Sequence, residues 1–572
     1  MTEPSPAIVA EESVHHRLPR WALILVCLAY VLPGYLGRDP WKNADIAAFG
    51  TMLELQSAHA WTAWLHPTLM GMVPESTALL PYWLGALTLR IAPAGIAPDL
   101  AVRLPFLLML IGTFATTWYA VKNLASHASA QPVAFAFGGE AEGRDYARAL
   151  ADGGLLALIA TLGLAQLSHE TTPDVAQLFF TALTFCGLSA LGFARPRAAT
   201  AWLLAAGLVG LSLGGAPASA LVYGIGASLA AIGAAVKGDR RPRAAWTAAL
   251  VAAATLACGL LLGLGIVTPN WHLEPWRTTT AQWQALGQLF LWFTWPCWAF
   301  VLWTLWRWRR QLLHLQRQPH LGIPIFIASV PVANATLTLA GDRALLLALP
   351  ALAALAAFAL PTFKRAAAAL IDSFSVLFFS ICAIAIWVVW ISVQTGFPAK
   401  PAANVARLAP DFVSIFQWPA LVAALGGTIA WVALAQWRTA RHRPALWKSL
   451  VLPAGGTTLC WLLLATLWMP ALNYSRSYAP QMAAIKAVIG QAPCVEVQGL
   501  LQSQIAAIMY HGGWQPIPIT GPATCPWLLA SRHAFEDLPT AQQTDHWRLV
   551  KEVPRPSHKT ETLFVYERIP AS

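Results

Sequence analysis

Residues 37–50, GRDPWKNADIAAFG, set two aspartates, Asp39 and Asp45, beside two cations, Arg38 and Lys42, directly after an apolar run. A second polar island, SHETTPD (168–174), holds His169, Glu170 and Asp174 between two more apolar runs. Carboxylates this close to apolar spans are costly unless they face water, a partner or a substrate. Held at a membrane surface, a carboxylate can serve as general base toward a lipid headgroup. Neighbouring cations can meet the charge that gathers on a departing phosphate. Each acid also has a plain structural role open to it: Asp45 precedes IAAFGTMLEL and Asp174 follows Pro173, so either could cap a helix. Two acidic turns on one face favour a shared site. Asp45, Phe49 and Met52 recur at i, i+4 and i+7 with Ala48 beside them. That spacing predicts a short amphipathic helix over 45–56, lying in the interface with Asp45 aimed into a groove.

The elements that carry these residues follow from composition. Of 572 residues, 57% are hydrophobic and 11% charged, against about 25% charged in ordinary soluble domains. Such a chain cannot hide its apolar surface in water and reads as an α-helical polytopic membrane protein. The polar start ends in HHRLPR with no small-residue cleavage site after the run that follows, so 21–36 reads as a retained anchor. The net charge of +11 sits in short loops between spans, which points to the positive-inside pattern and away from nucleic acid. Most of the 28 tryptophans fit interfacial anchoring and bundle packing.

Thirteen apolar runs are span candidates: 21–37, 101–121, 153–170, 175–193, 200–214, 217–236, 246–267, 287–306, 322–340, 343–361, 367–393, 418–436 and 449–469. With the N-terminus (1–20) inside, the basic loops ARPR, KGDRRPR, RWRRQLLHLQR, FKR and RTARHRPALWK all fall on the cytoplasmic side. The stretch 78–92 would reverse that sorting if it crossed, so it is predicted to lie in the outer interface. The first outer loop then spans 38–100, within a membrane domain of 21–469. The expected location is a membrane, the lipid bilayer being the first partner.

An odd number of spans leaves the tail, 470–572, outside. CVEVQGLL, CPWLLAS and ETLFVYERI are predicted strands, and QMAAIKAVIG and QSQIAAIMYHG helices, so the tail reads as a small periplasmic α/β domain. Six of the eight cysteines are scattered through spans; Cys494 and Cys525 lie in the tail and form the natural disulfide pair in an oxidising compartment. No CxxC or His/Cys cluster suggests a structural metal.

The order RDPWKNAD, LLPYWLGAL (79–87), AVRLPFLLMLIGT (101–113) and DVAQLFFTALTF (174–185) resembles the integral-membrane GT-C glycosyltransferases, of the aminoarabinose transferase and protein O-mannosyltransferase kind. The turn LAGDRALLLALPALAALA (339–356) is similar to a later family segment. The resemblance implies an inverting transfer of a sugar from a polyprenyl-phosphate donor to an envelope acceptor on the outer face. The acceptor would be a lipid A-type glycolipid, another glycan or a protein. Asp45 matches the family's essential acid, with Ile46 and Phe49 where Glu and Tyr are usual. Ser76 to Leu79 replace a Glu-Lys-Pro-Pro motif, Glu75 being adjacent. Asp174 matches a second acidic position, and Arg343 stands where Lys often lies near the donor phosphate. These departures mark a divergent subgroup.

The site expected on this basis has Asp45 and Asp174 as catalytic acids. Arg343, Arg277, Lys42 and Arg38 are its donor-phosphate cations, and Asp39, Glu75, His169, Glu170, His272 and Glu274 its other pocket residues. Any one of the cations could instead snorkel to headgroups. No cofactor is assigned; a divalent metal between paired acids stays open, although Ile46 removes one half of the pair. Two rivals share the composition: a transporter or flippase for a lipid-linked or anionic substrate, and an inactive scaffold of the same fold. Transporters favour internal repeats and ionisable residues at mid-membrane. No repeat is evident, and Asp372 is almost alone as an acid within the spans.

Overall fold

The computed structural model describes residues 5–191, 198–237, 242–268, 279–338, 341–440, 445–519, 524–531, 534, 547–556 and 558–569. All thirteen apolar runs coincide with helical structure. Seven described helices are long and apolar enough to cross a membrane, and an eighth crossing arises if one bent pair counts as a single span. Two of the seven, Pro173–Leu191 and Lys448–Leu467, are mostly buried at the centre of the bundle. The helices Arg365–Thr395 and Trp418–Arg438 are largely exposed at its edge, as expected where lipid is the solvent.

Three runs differ from their predicted form. The run 287–306 is broken into Thr280–Phe293 and Cys297–Arg307, which meet at 90° around Pro296. The run 343–361 breaks into Gly341–Leu346, Leu349–Ala357 and a final 3-10 turn at Leu360–Thr362. Prolines at 350 and 361 lie at the new starts, where a missing N–H costs nothing. The run 153–170 belongs to a helix that begins ten residues earlier and stops at Ala160 (Gly143–Ala160); 161–172 then form a folded turn. That turn, not a span, carries His169 and Glu170.

The stretch 78–92 forms the helix Leu80–Ile91, and 45–56 the helix Ala44–Ser57. The second is not a one-sided interfacial helix. Phe49, Met52 and Leu55 pack into the membrane-domain core, with Met52 against Gly85, whereas Ile46 belongs to the core of the tail. Gly50 lies flat against Ala506 of the tail. The helix is therefore sandwiched, because both of its faces are apolar.

The tail holds a five-stranded sheet: β1 (Cys494–Gln498), β2 (Gln515–Pro518), β3 (Trp527–Ala530), β4 (Trp547–Arg555) and β5 (His558–Arg568), in the order β2-β1-β3-β5-β4. β1 runs parallel to β2 and β3, and β5 antiparallel to β3 and β4. Parallel β1–β2 needs a crossover, which Gln502–Ala507 and its continuation to Gly512 provide. β2 and β4 escape sequence reading because QPIP contains two prolines and WRLVKEVPR is charged. Cys494 and Cys525 are joined by a disulfide. The tail docks on the first loop: Lys42 Nζ meets Glu561 at 3.2 Å, Gln502 donates to the Val73 carbonyl at 2.7 Å, and Tyr510 donates to Asp99 at 2.9 Å.

Candidate active site

The turn 161–172 and the segment 38–45 lie against each other where three helices end. Tyr35, at the end of the helix Arg20–Tyr35, donates its hydroxyl to the Ser168 carbonyl at 2.8 Å. Arg38 donates to the His169 carbonyl at 2.8 Å and to Asp45 Oδ2 at 2.6 Å, stacking over the Trp41 ring at 4.2 Å. Asp45 is buried, and every lone-pair direction is used. Oδ2 also accepts from the Trp41 amide at 3.1 Å, while Oδ1 accepts from the Thr171 amide and hydroxyl, each at 2.8 Å. A carboxylate with four donors, one of them a buried guanidinium, is a clamp between two loops. Arg103 supports the same clamp, donating to the carbonyls of Tyr35 and Arg38 while pairing with Asp99.

Three residues along, the acids meet a different cation. Arg343, carried by Gly341–Leu346, reaches Asp174 at 2.5 Å and Glu170 at 2.7 Å. Burial works against the charge on Arg343, but the two carboxylates override it and hold its pKa above the ordinary value. Burial lifts Glu170 above the usual carboxylate range against the pull of Arg343. Glu170 is almost fully covered, whereas Asp174 and Arg343 keep part of their surface open.

That open part faces a cavity of about 490 Å³. Its walls are the start of Ala44–Ser57, Thr172 and the first residues of Pro173–Leu191, residues 215–219, the end of Pro319–Leu337 and residues 500–503 of the tail. Asp174, Arg343 and Glu75 line it. Asp45 does not; it lies behind the wall, tied to Thr171. Two polar atoms of lining residues are buried without a hydrogen bond, Thr172 Oγ1 and Asn334 Oδ1.

The other expected residues separate. Lys42 points to the tail and Glu561, and Arg38 is sealed in the clamp. Asp39 is half-buried beside the tail, its amide donating to Asn473. His169 is enclosed by Tyr30, Tyr35 and Trp461 and contacts the carbonyls of Ala165 and Tyr30, so it packs the turn from beneath. Arg277, His272 and Glu274 lie outside the described residues. Among the described residues, no group of three or more His, Cys, Asp or Glu side chains is arranged to hold a metal ion.

Sequence reasoning missed Thr171, Thr172, Asn334 and the tail segment 500–503. The signal for Asn334 was present, as the lone amide in the apolar run PVANATL. Nothing local marks 500–503, because they join the site only through docking of the tail.

No family model matches the chain, and no curated protein matches it. Solved structures do. ArnT from Cupriavidus metallidurans in the apo state superposes with a TM-score of 0.60 at 13% identity, covering 96% of this chain and 97% of that one. The same protein bound to undecaprenyl phosphate gives 0.58 at 13% identity, covering 96% and 98%. The chain has the same fold as ArnT. A looser likeness is to the arabinosyltransferase EmbB from Mycobacterium smegmatis, with a TM-score of 0.42, 17% identity, and 84% and 44% coverage. The likeness to ArnT covers 96% of this chain, so it reaches beyond the membrane domain into the tail. The lone acid noted within the spans, Asp372, is paired with Arg438 at a bundle edge, as a structural ion pair would be.

Proposed function

We propose that this protein is an inverting glycosyltransferase that moves a sugar from a polyprenyl-phosphate donor to an envelope acceptor. The acceptor class is a lipid A-type glycolipid, another glycan or a protein, and the reaction faces the periplasm of a bacterial inner membrane. The observation that carries this reading is the cavity at which Asp174 and Arg343 meet in a chain of GT-C fold. ArnT, of the same fold, binds undecaprenyl phosphate, which supports a lipid-phosphate donor here.

In this reading Asp174 takes the role first expected of Asp45. Its carboxylate reaches the cavity and can orient or deprotonate an acceptor hydroxyl. The hydroxyl oxygen attacks the anomeric carbon, the bond to the phosphate oxygen breaks, and a single displacement inverts that carbon. Positive charge builds on the sugar in an oxocarbenium-like state as negative charge gathers on the leaving phosphate, and the acceptor proton passes to Asp174. Arg343 is the cation at hand, but Glu170 and Asp174 already hold it. A donor phosphate must compete with those carboxylates for the guanidinium. Asp45 is a positioning residue, holding the turn that presents Glu170 and Asp174.

The test is turnover by purified protein given an undecaprenyl-phosphate sugar and an acceptor glycolipid. Release of free undecaprenyl phosphate together with a glycosylated acceptor supports the transferase. Absence of lipid phosphate release across acceptor classes, with the donor still bound, would point to the inactive scaffold. Movement of intact donor between leaflets of proteoliposomes would point to the flippase.

A further inference from the structure

At the other end of the bundle lies a larger cavity of about 930 Å³, independent of the transferase reading. It is framed by the starts of Arg20–Tyr35 and Gly143–Ala160 and the last turns of Pro98–Ala125, the ends remote from Asp174. Its two halves differ in chemistry. The inner half is apolar, and Ile24, Leu28 and Ile111 there are each more than 40% exposed, so the groove opens sideways from the bundle onto lipid.

The end half is charged, with five cations against three carboxylates. Arg17 is taken by Asp145 at 2.8 Å, and Asp152 is buried and accepts from Trp118 Nε1 at 2.8 Å. Lys122 stacks on the Trp118 ring at 5.2 Å. Among the described residues, Arg20, Arg144 and Arg148 form no ion pair within 4.0 Å, although all three line the same opening. Asp152 lies within electrostatic reach of Arg148 and Arg20, but the five cations still outnumber the three carboxylates. A rim with surplus positive charge beside a lipid-open apolar slot matches one class of occupant in both halves, an amphiphile with an anionic head.

We propose that this groove seats a phospholipid with an anionic headgroup from the leaflet at the N-terminal end. Its phosphate sits among Arg20, Lys122 and Arg148, and its acyl chains run along Ile24, Leu28 and Ile111. A zwitterionic lipid brings its own cation into a rim that is already positive, so the groove discriminates by charge.

The test is native mass spectrometry of the full chain equilibrated with equal amounts of dioleoyl phosphatidylglycerol and dioleoyl phosphatidylcholine. The wild-type chain is expected to retain one phosphatidylglycerol, preferred by about tenfold or more. Arg20→Gln with Arg148→Gln is expected to reduce that retention by a similar factor. Leu28→Trp, which fills the apolar half and leaves the rim charges in place, is expected to lose retention of the lipid as well. Thermal melting reports whether each variant folds. Equal retention of the two lipids by the wild-type chain overturns the proposal. Unchanged phosphatidylglycerol retention in the arginine pair does so too, and if that pair does not fold, unchanged retention in Leu28→Trp decides against it.

Discussion

Asp45 and Asp174 look alike in the sequence, and the difference between them is burial. Asp45 sits in a dry clamp, where removing one partner of an ion pair typically costs about 3–5 kcal/mol. Arg38→Met, which strands the Asp45 carboxylate, is expected to lower stability on that scale in thermal or denaturant unfolding. Asp174→Asn touches a part-open side chain and is expected to leave the melting temperature within a few degrees. Its turnover should fall by about 10²–10⁴, the usual worth of a positioned acid–base group. The reverse pattern, with Asp174→Asn unstable and Asp45→Asn folded but inactive, would return the chemistry to Asp45. His169 gives a pH signature. Burial, aided by the nearby Arg38 charge, pushes its imidazole down to about 3 against the pull of its carbonyl contacts. The folded chain keeps it neutral, while the unfolded chain takes up a proton near the ordinary value of 6.5. The unfolded state therefore binds more protons between those values, and stability is lost as pH falls from about 6.5, by up to about 1.4 kcal/mol per unit. Melts at pH 5 and pH 7.5 should differ in the wild-type chain and differ less in His169→Gln.

Among the elements, the helix Ala44–Ser57 governs the site. It forms one wall of the cavity, anchors the clamp through Asp45 and meets the tail through Ile46 and Gly50. A Cβ at Gly50 would strike the Ala506 side chain and crowd its backbone, with a Cα at 3.1 Å. Backbone cannot swing aside as a flexible side chain can. Gly50→Ala is therefore expected to loosen the tail from the membrane domain, read as faster proteolysis between 470 and 500 with the bundle intact. Loss of the tail contact would also open the 500–503 wall, so turnover should fall with it. The helical spacing of 45–56 was legible in the residues, while the expected amphipathic character is not what the helix shows. The fate of its second face was not legible, because the apolar surface that covers Ile46 comes from a domain more than four hundred residues away.

For the molecule as a whole, the tail carries the largest topological claim. If the tail faces the periplasm, the disulfide Cys494–Cys525 forms there and closes a loop across β1 and the approach to β3. Cys494→Ser with Cys525→Ser is expected to destabilise the tail by about 2–4 kcal/mol. The same loss should appear in the wild-type chain under reductant, as an early melting phase. An enzyme reporter active only in the periplasm, fused after residue 569, should be active; activity of a cytoplasmic reporter at that position instead would refute the sidedness on which the donor reading rests.

What the sequence alone determined is set by periodicity and composition. These are local or additive properties: thirteen apolar runs, a tail with strand-like segments, two acidic islands and a cysteine pair. The run 287–306 shows the boundary of that knowledge: Pro296 marks a break in the helix, but the 90° angle between the two halves is seen only in the folded chain. Tertiary structure alone decided which acids are dry. Burial is a property of the surroundings, and the four donors around Asp45 come from 38–41 and from Thr171, while the cation beside Asp174 comes from position 343. No spacing rule reaches across such separations, so the residues mark two acidic islands, and only the folded chain shows that Asp45 is enclosed while Asp174 borders the cavity.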